Sequence, residues 1–131
     1  MFGLFGVPGQ AAYNSAKFAV RGFTEALRQE MALAGHPVAV TAVHPGYVKT
    51  PIARNAGLAE GVDKNKAIAT FEKVAITSAQ RAARVILKAV RKNKARVLVG
   101  PDAKAFDLLV RIAPAAYQRI MMPITARFQP K

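Results

Sequence analysis

The chain is 131 residues long, with 20 Lys+Arg against 7 Asp+Glu, a formal net charge of +13, and 52% of its residues are hydrophobic. That length holds one domain or part of one, and the apolar content is too high for a disordered tail. The absence of cysteine excludes a disulfide scaffold, a thiol nucleophile and a cysteine zinc site, and His36 and His44 lie near no carboxylate cluster that would complete a metal site.

Residues 1–9 are apolar but hold Gly3, Gly6, Pro8 and Gly9 and no lysine or arginine, so they are not expected to be a secretory signal. From Gln10 to about Ala34, Ala12, Ala16, Ala19, Phe23, Leu27 and Met31 step by three and four, the apolar face of one helix, and Gly35 and Pro37 stop it. The β-branched run Val38–Val43, closed by Pro45-Gly46, reads as a strand buried on both faces. The uncharged stretch from Met31 to Val48 is broken by Gly35, His36, Pro37, Pro45 and Gly46, so it is no membrane span, and a soluble cytoplasmic protein is expected. An irregular stretch from His44 to about Gly61 precedes a short helix near Asp63–Lys73. Thr77-Ser78-Ala79-Gln80 reads as a capping box with Thr77 as the cap, opening a helix to about Lys92. Arg96–Val99 is a second strand ended by Gly100-Pro101, followed by helices over Asp102–Ile112 and Pro114–Met122.

Strands alternating with helices predict an α/β fold with two parallel strands. Two strands are too few for a parallel sheet covered on both faces, so residues 1–131 are expected to form a single incomplete domain that is poorly soluble or self-associating alone. The charge is uneven, +2 over residues 1–60 and +11 over residues 61–131. Arg81, Arg84, Lys88 and Arg91 recur at helical spacing opposite Ala82, Val85, Ile86, Ala89 and Val90, the pattern of a solvated helix face, and no aromatic residues interleave with them as a nucleic-acid platform requires. Towards the C-terminus, Phe106, Leu109, Val110, Ile112, Tyr117, Ile120, Met121, Met122 and Phe128 mix with Arg111, Arg119 and Arg127. These are expected to close a pocket or bury against a neighbour rather than lie on a membrane surface.

Tyr13 and Lys17 carry the chemistry. Four residues turn a helix by about 400° and rise about 6 Å, so both side chains leave one face. A phenol ordinarily titrates near 10, so acid–base work at neutral pH needs about 4 kcal/mol of help. One ammonium about 5 Å away at an effective dielectric near 20 supplies about 3 kcal/mol. Taken alone, such a pair is also met as a packing residue beside a solvated charge.

The segment Tyr13-Asn14-Ser15-Ala16-Lys17 opens a helix, a strand follows, and then comes His44-Pro45-Gly46-Tyr47-Val48-Lys49-Thr50-Pro51. In this order the sequence resembles the short-chain dehydrogenase/reductase family, with its Y-x-x-x-K helix and a strand ending in P-G with threonine four residues on. Gly3, ten residues before the tyrosine, fits the segment leading into that helix. The resemblance runs to about Gly100 and implies the C-terminal half of a doubly wound, Rossmann-like sheet. It implies an NAD- or NADP-dependent oxidoreductase interconverting a secondary alcohol and a carbonyl. By the same resemblance, Tyr13 is the acid/base and Lys17 its activator and the holder of the nicotinamide ribose. Pro45, Gly46 and Val48 line the ring, Gly46 letting the backbone approach it closely, and Thr50 touches the cofactor amide or phosphate, or else begins the turn ahead of Pro51. His44 is read as incidental, and Asn14 and Ser15 receive no role.

The resemblance also implies a homo-oligomeric parent with a small alcohol or ketone substrate, drawn towards the lipophilic by the moderately apolar Ile52–Ile76. The family's T-G-x-x-x-G-x-G phosphate turn has no counterpart here, and counting back thirteen residues from Tyr13 to the family's serine falls one position before Met1. A truncated reading frame, inactive by itself, is therefore expected. The alternative is a non-enzymatic, basic, helix-rich module that associates with a partner chain or a membrane surface.

Overall fold

Residues 1–9 form a succession of turns that leads into α1 (Ala11–Leu33). The structure, a computed structural model, describes residues 1–55, 57 and 63–126. Gly35, at φ +67°, closes α1 in the left-handed conformation, and the His36 N–H reaches back to the Met31 carbonyl at 3.0 Å. There follow β1 (Ala42–Pro45), β2 (Val48–Lys49), α2 (Ile52–Asn55), α3 (Lys64–Val74), β3 (Thr77–Ser78), α4 (Ala79–Arg91), β4 (Arg96–Val99), α5 (Pro101–Ile112) and α6 (Tyr117–Ala126). β1 pairs in parallel with β4, Ala42 opposite Arg96 and Pro45 opposite Val99. The fold is α/β with parallel strands, as the alternation of patterns requires.

Several boundaries move. The first strand spans Ala42–Pro45 rather than 38–43, because its described partner starts only at Arg96, past the turn at Lys92–Lys94, and Val38 is left exposed. Nor is it buried on both faces: Ala42 and His44 are buried, while Val43 is half-buried and Pro45 exposed. The stretch expected to be irregular contains β2, which pairs in parallel with β3, and the short α2; residues 56 and 58–62 lie outside the described residues. The cap of α4 is Ser78, whose Oγ accepts the Arg81 N–H at 3.2 Å. Thr77 is instead spent on the β3 pairing with Val48 and is buried. Asp63 caps α3 through both the Asn65 and Lys66 N–H groups. The last helix starts at Tyr117 rather than Pro114, after a turn over 114–116, and carries Pro123 inside it.

The core joins the N-terminal turns to the last two helices. Met1, Leu4 and Phe5 pack with Ala103, Tyr117 and Met121, flanked by Phe106, Leu109 and Val110. Phe5 meets Phe106 at 4.9 Å between ring centroids, and the Tyr117 hydroxyl accepts the Gly6 N–H at 3.1 Å. Part of the C-terminal apolar set is thus buried, whereas Ile112 and Ile120 are exposed and Arg127 and Phe128 lie outside the described residues. On α1 the only buried residue is Asn14. Most of the stripe read as its apolar face is open, with Phe23 69% exposed, whereas Leu27 and Met31 are half-buried. No helix among the described residues is long and apolar enough to cross a membrane.

Candidate active site

Tyr13 and Lys17 sit on the first turns of α1 and share a face, with Lys17 Nζ 5.3 Å from the centroid of the Tyr13 ring. The Phe2 ring stands edge-on to Tyr13 at 5.5 Å, leaving the phenol 48% exposed. The N-terminal turns lie against this part of the helix because residue 3 is glycine: a Cβ there would come within 2.8 Å of the Lys17 carbonyl oxygen. Arg21 adds a hydrogen bond from Nη1 to the Gly3 carbonyl at 3.3 Å.

The second wall of the site is the bend after β1. The Gly46 N–H continues the ladder to the Val99 carbonyl at 2.8 Å, and the Tyr47 N–H donates to Asp102 Oδ2 at 2.6 Å. Asp102 lies in the first turn of α5, where the helix dipole favours a carboxylate. A Cβ on Gly46 would lie 2.1 Å from Asp102 Oδ2, and one on Gly100 (φ +101°) 2.4 Å from Oδ1. The bare backbone of Gly46 therefore admits a carboxylate from behind the bend, a use that the sequence reading did not assign to it. The Met1 amine donates to the Pro45 carbonyl at 2.5 Å.

Between these walls runs an open cleft of about 620 Å³ whose lining includes Tyr13, Lys17, Pro45, Gly46, Val48 and Thr50. All six residues singled out from sequence meet there. Thr50 is exposed, its Oγ1 donating to the Val48 carbonyl at 3.4 Å. His44 also lines the cleft; its side chain is buried and Nε2 has no hydrogen-bond partner among the described residues. Burial, then the positive Met1 amine and Arg21, hold its imidazole below the usual 6.5, favouring the neutral form. Burial, followed by the nearby Asp102, pushes the Tyr47 phenol above its usual 10. A neighbouring hollow of about 470 Å³ is lined by residues that include Lys49, Thr50, Arg54, Phe71 and Glu72, with Arg54 paired to Glu72 at 2.7 Å.

Two residues of the site escaped the sequence reading. Asn14 turns inward and ties residues 1–9 to α1: its Nδ2 donates to the Phe2 carbonyl at 2.9 Å and the Phe5 carbonyl at 3.0 Å, and its Oδ1 accepts the Val7 N–H at 3.0 Å. Asp102, which braces the bend, is signalled only by its place two residues past a strand-ending glycine.

The donor set suits the nicotinamide and ribose end of a dinucleotide: a hydroxyl, an ammonium and a bend with few side chains share one open cleft. No glycine-rich phosphate turn accompanies it in this sequence, and no cluster among the described residues has metal-binding composition.

A family model described as short chain dehydrogenase matches residues 1–61, which contain both the tyrosine–lysine turn and the bend. A Mycobacterium tuberculosis protein named as an oxidoreductase, SadH, is 54% identical over 99% of this chain and 48% of its own length. Bacillus subtilis YxnA, named an uncharacterized oxidoreductase, is 35% identical over 95% of this chain and 33% of its own. Dehydrogenase/reductase SDR family member 7B of Mus musculus is 33% identical over 91% of this chain and 36% of its own. The chain therefore spans about half the length of the first of these relatives and about a third of the other two. No solved structure gives a significant match. With relatives named as oxidoreductases and dehydrogenase/reductases aligned along nearly its whole length, the chain belongs to the short-chain dehydrogenase/reductase family.

Proposed function

We propose that this chain supplies the acid–base half of an NAD(P)-dependent oxidoreductase that interconverts a secondary alcohol and a carbonyl. The observation that carries the reading is the Lys17 ammonium 5.3 Å from the Tyr13 ring centroid, on a cleft shared with the Pro45–Val48 bend. In this reading the Tyr13 hydroxyl gives a proton to the carbonyl oxygen in reduction and takes it back in oxidation. Lys17 supplies positive charge beside that proton and donates to the nicotinamide ribose hydroxyls. Pro45, Gly46 and Val48 present the surface against which the ring lies, and Thr50 contacts its amide or phosphate. The dinucleotide, when bound, supplies or accepts the hydride. The sequence carries no phosphate-binding turn, so we propose that this polypeptide alone neither binds the dinucleotide usefully nor turns over substrate.

The test joins the chain to the portion of the SadH relative that the match leaves uncovered and measures NAD(P)H-dependent reduction of a panel of lipophilic ketones. Tyr13→Phe is expected to lower kcat at least about 100-fold with cofactor affinity unchanged, and Lys17→Met to weaken the cofactor as well. Full activity in the Tyr13→Phe fusion would refute the assignment. So would tight NAD(P)H binding by the unfused chain, for the inactive-alone part. The exposed Phe18, Val20 and Phe23 of α1 support a homo-oligomeric parent that pairs through this helix, which Phe23→Glu should dissociate.

A further inference from the structure

The outer face of α4 is built unlike the rest of the surface. Between residues 73 and 101 there are eight lysines and arginines and no acidic residue. At about 100° per residue, Arg81, Arg84, Lys88 and Arg91 fall within about 80° of one another and span about 15 Å of helix. All four are exposed, as are Lys92 and Lys94 just beyond, and none of the six makes an ion pair among the described residues. Arg96, the next cation, is drawn away to Asp107 at 3.2 Å. The buried seam of α4 is Ala82 and Ala89, packed towards β4. At the edge of the cationic stripe, about 40° round the helix from Arg91 and not in that seam, Leu87 stands 53% exposed.

We propose that this face docks on an anionic lipid bilayer, with Leu87 entering the headgroup boundary and the arginines and lysines reaching lipid phosphates. Interspersed charges of both signs keep an ordinary surface helix solvated; here there is no anion to intersperse, so the stripe presents an uncompensated positive potential. A second copy of the chain is a poor occupant, since the same stripe would meet itself with like charge. A nucleic acid satisfies the cations but not the apolar flank, and no aromatic side chain stands on this face to stack on bases. An anionic bilayer answers both features: acidic headgroups for the cations and an apolar boundary for Leu87. This inference is independent of the proposed redox chemistry.

Co-sedimentation of the full chain with phosphatidylcholine vesicles containing about 30% phosphatidylglycerol tests it, against vesicles of phosphatidylcholine alone. Binding is expected only to the anionic vesicles and is expected to vanish near 1 M salt, where the Debye length is about 3 Å. Each cation near the surface is worth about fivefold in affinity, so replacing Arg84, Lys88 and Arg91 together by Gln should weaken binding about a hundredfold with the far-UV circular dichroism unchanged. The apolar-to-polar change Leu87→Ser keeps every cation and should weaken vesicle binding severalfold. Failure to bind anionic vesicles would overturn the proposal, as would full binding by the triple Gln variant. A short DNA duplex that binds more tightly than the vesicles, with Leu87→Ser without effect, would overturn it in favour of nucleic acid.

Discussion

Removing the carboxamide of Asn14 is expected to loosen the candidate site more than removing any other side chain in it. In Asn14→Ala one backbone N–H (Val7) and two carbonyls (Phe2, Phe5) lose their partner together. Each lost bond is worth about 1 kcal/mol where water can replace the side chain and more where it cannot. The bond to the Phe5 carbonyl is buried and the other two are partly buried, which places the total at about 2–4 kcal/mol. With a urea dependence of about 2 kcal/mol per molar, the unfolding midpoint should fall by about 1–2 M. Asn14→Asp sharpens the test. It keeps an acceptor for the Val7 N–H but turns a carboxylate towards two carbonyl oxygens, so at neutral pH it should cost at least as much as alanine. Its carboxyl is held protonated more readily in the folded than in the unfolded chain, so the loss relative to wild type should shrink as pH falls towards about 4. Urea titrations followed by circular dichroism and by tyrosine fluorescence, the chain having no tryptophan, give the midpoints, and hydrogen exchange at the Val7 amide reports the clamp directly. A change under about 0.5 kcal/mol for Asn14→Ala, or wild-type stability for Asn14→Asp at neutral pH, would refute the reasoning.

Gly46→Ala should displace the Asp102 carboxylate, 2.1 Å from the added Cβ, and break its bond to the Tyr47 N–H at a cost of about 2–3 kcal/mol; adding Asp102→Ala should recover part of this, so that the loss measured for the double variant from its urea midpoint is smaller than the sum of the two single losses. His44 has its imidazole pKa lowered below 6.5 in the folded chain, so the unfolded chain binds the proton more readily. The stability it contributes should be complete above about pH 6.5 and lost as pH falls below it, and the difference between wild-type and His44→Gln midpoints measured from pH 7.5 to 5 should follow that course, a flat difference counting against it.

What was legible from sequence was whatever the chain states locally. The long helix is announced by three- and four-residue spacing and ended by Gly35, and β4 by four residues, Arg96–Val99, between a polar turn and Gly100. The tyrosine–lysine face follows from helical geometry alone, and the bend from Pro-Gly after a strand. What was not legible depends on partners distant in the chain. β2 and β3 are two residues each and exist only because Val48–Lys49 and Thr77–Ser78 find one another, and that pairing moves the α4 cap from Thr77 to Ser78. The start of β1 was misplaced because Val38 and Val40 have the composition of a strand but no described strand alongside. Asn14 was passed over because its partners are carbonyls of an irregular segment, which have no sequence signature. Asp102 acts across 55 residues, on a backbone N–H that any residue but proline would offer.

Within the site, the groups that fix geometry and the group read as chemical are different residues. Asn14, Gly3, Gly46 and Asp102 are buried or pressed against backbone, and each change to them has a structural cost. Tyr13 is half exposed, and its hydroxyl makes no hydrogen bond among the described residues; its one ring neighbour, Phe2, would pack as well on phenylalanine. Folding therefore gives no reason for an oxygen at this position. Tyr13→Phe should leave stability to urea within about 0.5 kcal/mol of wild type, while in the fusion with the longer relative the proposed acid–base role requires that it lower turnover. A hydroxyl that costs nothing to delete in stability and everything in turnover is one retained for chemistry. If Tyr13→Phe instead destabilised the chain by about 2 kcal/mol or more, the phenol would be a packing group and the acid–base reading of this cleft would lose its foundation.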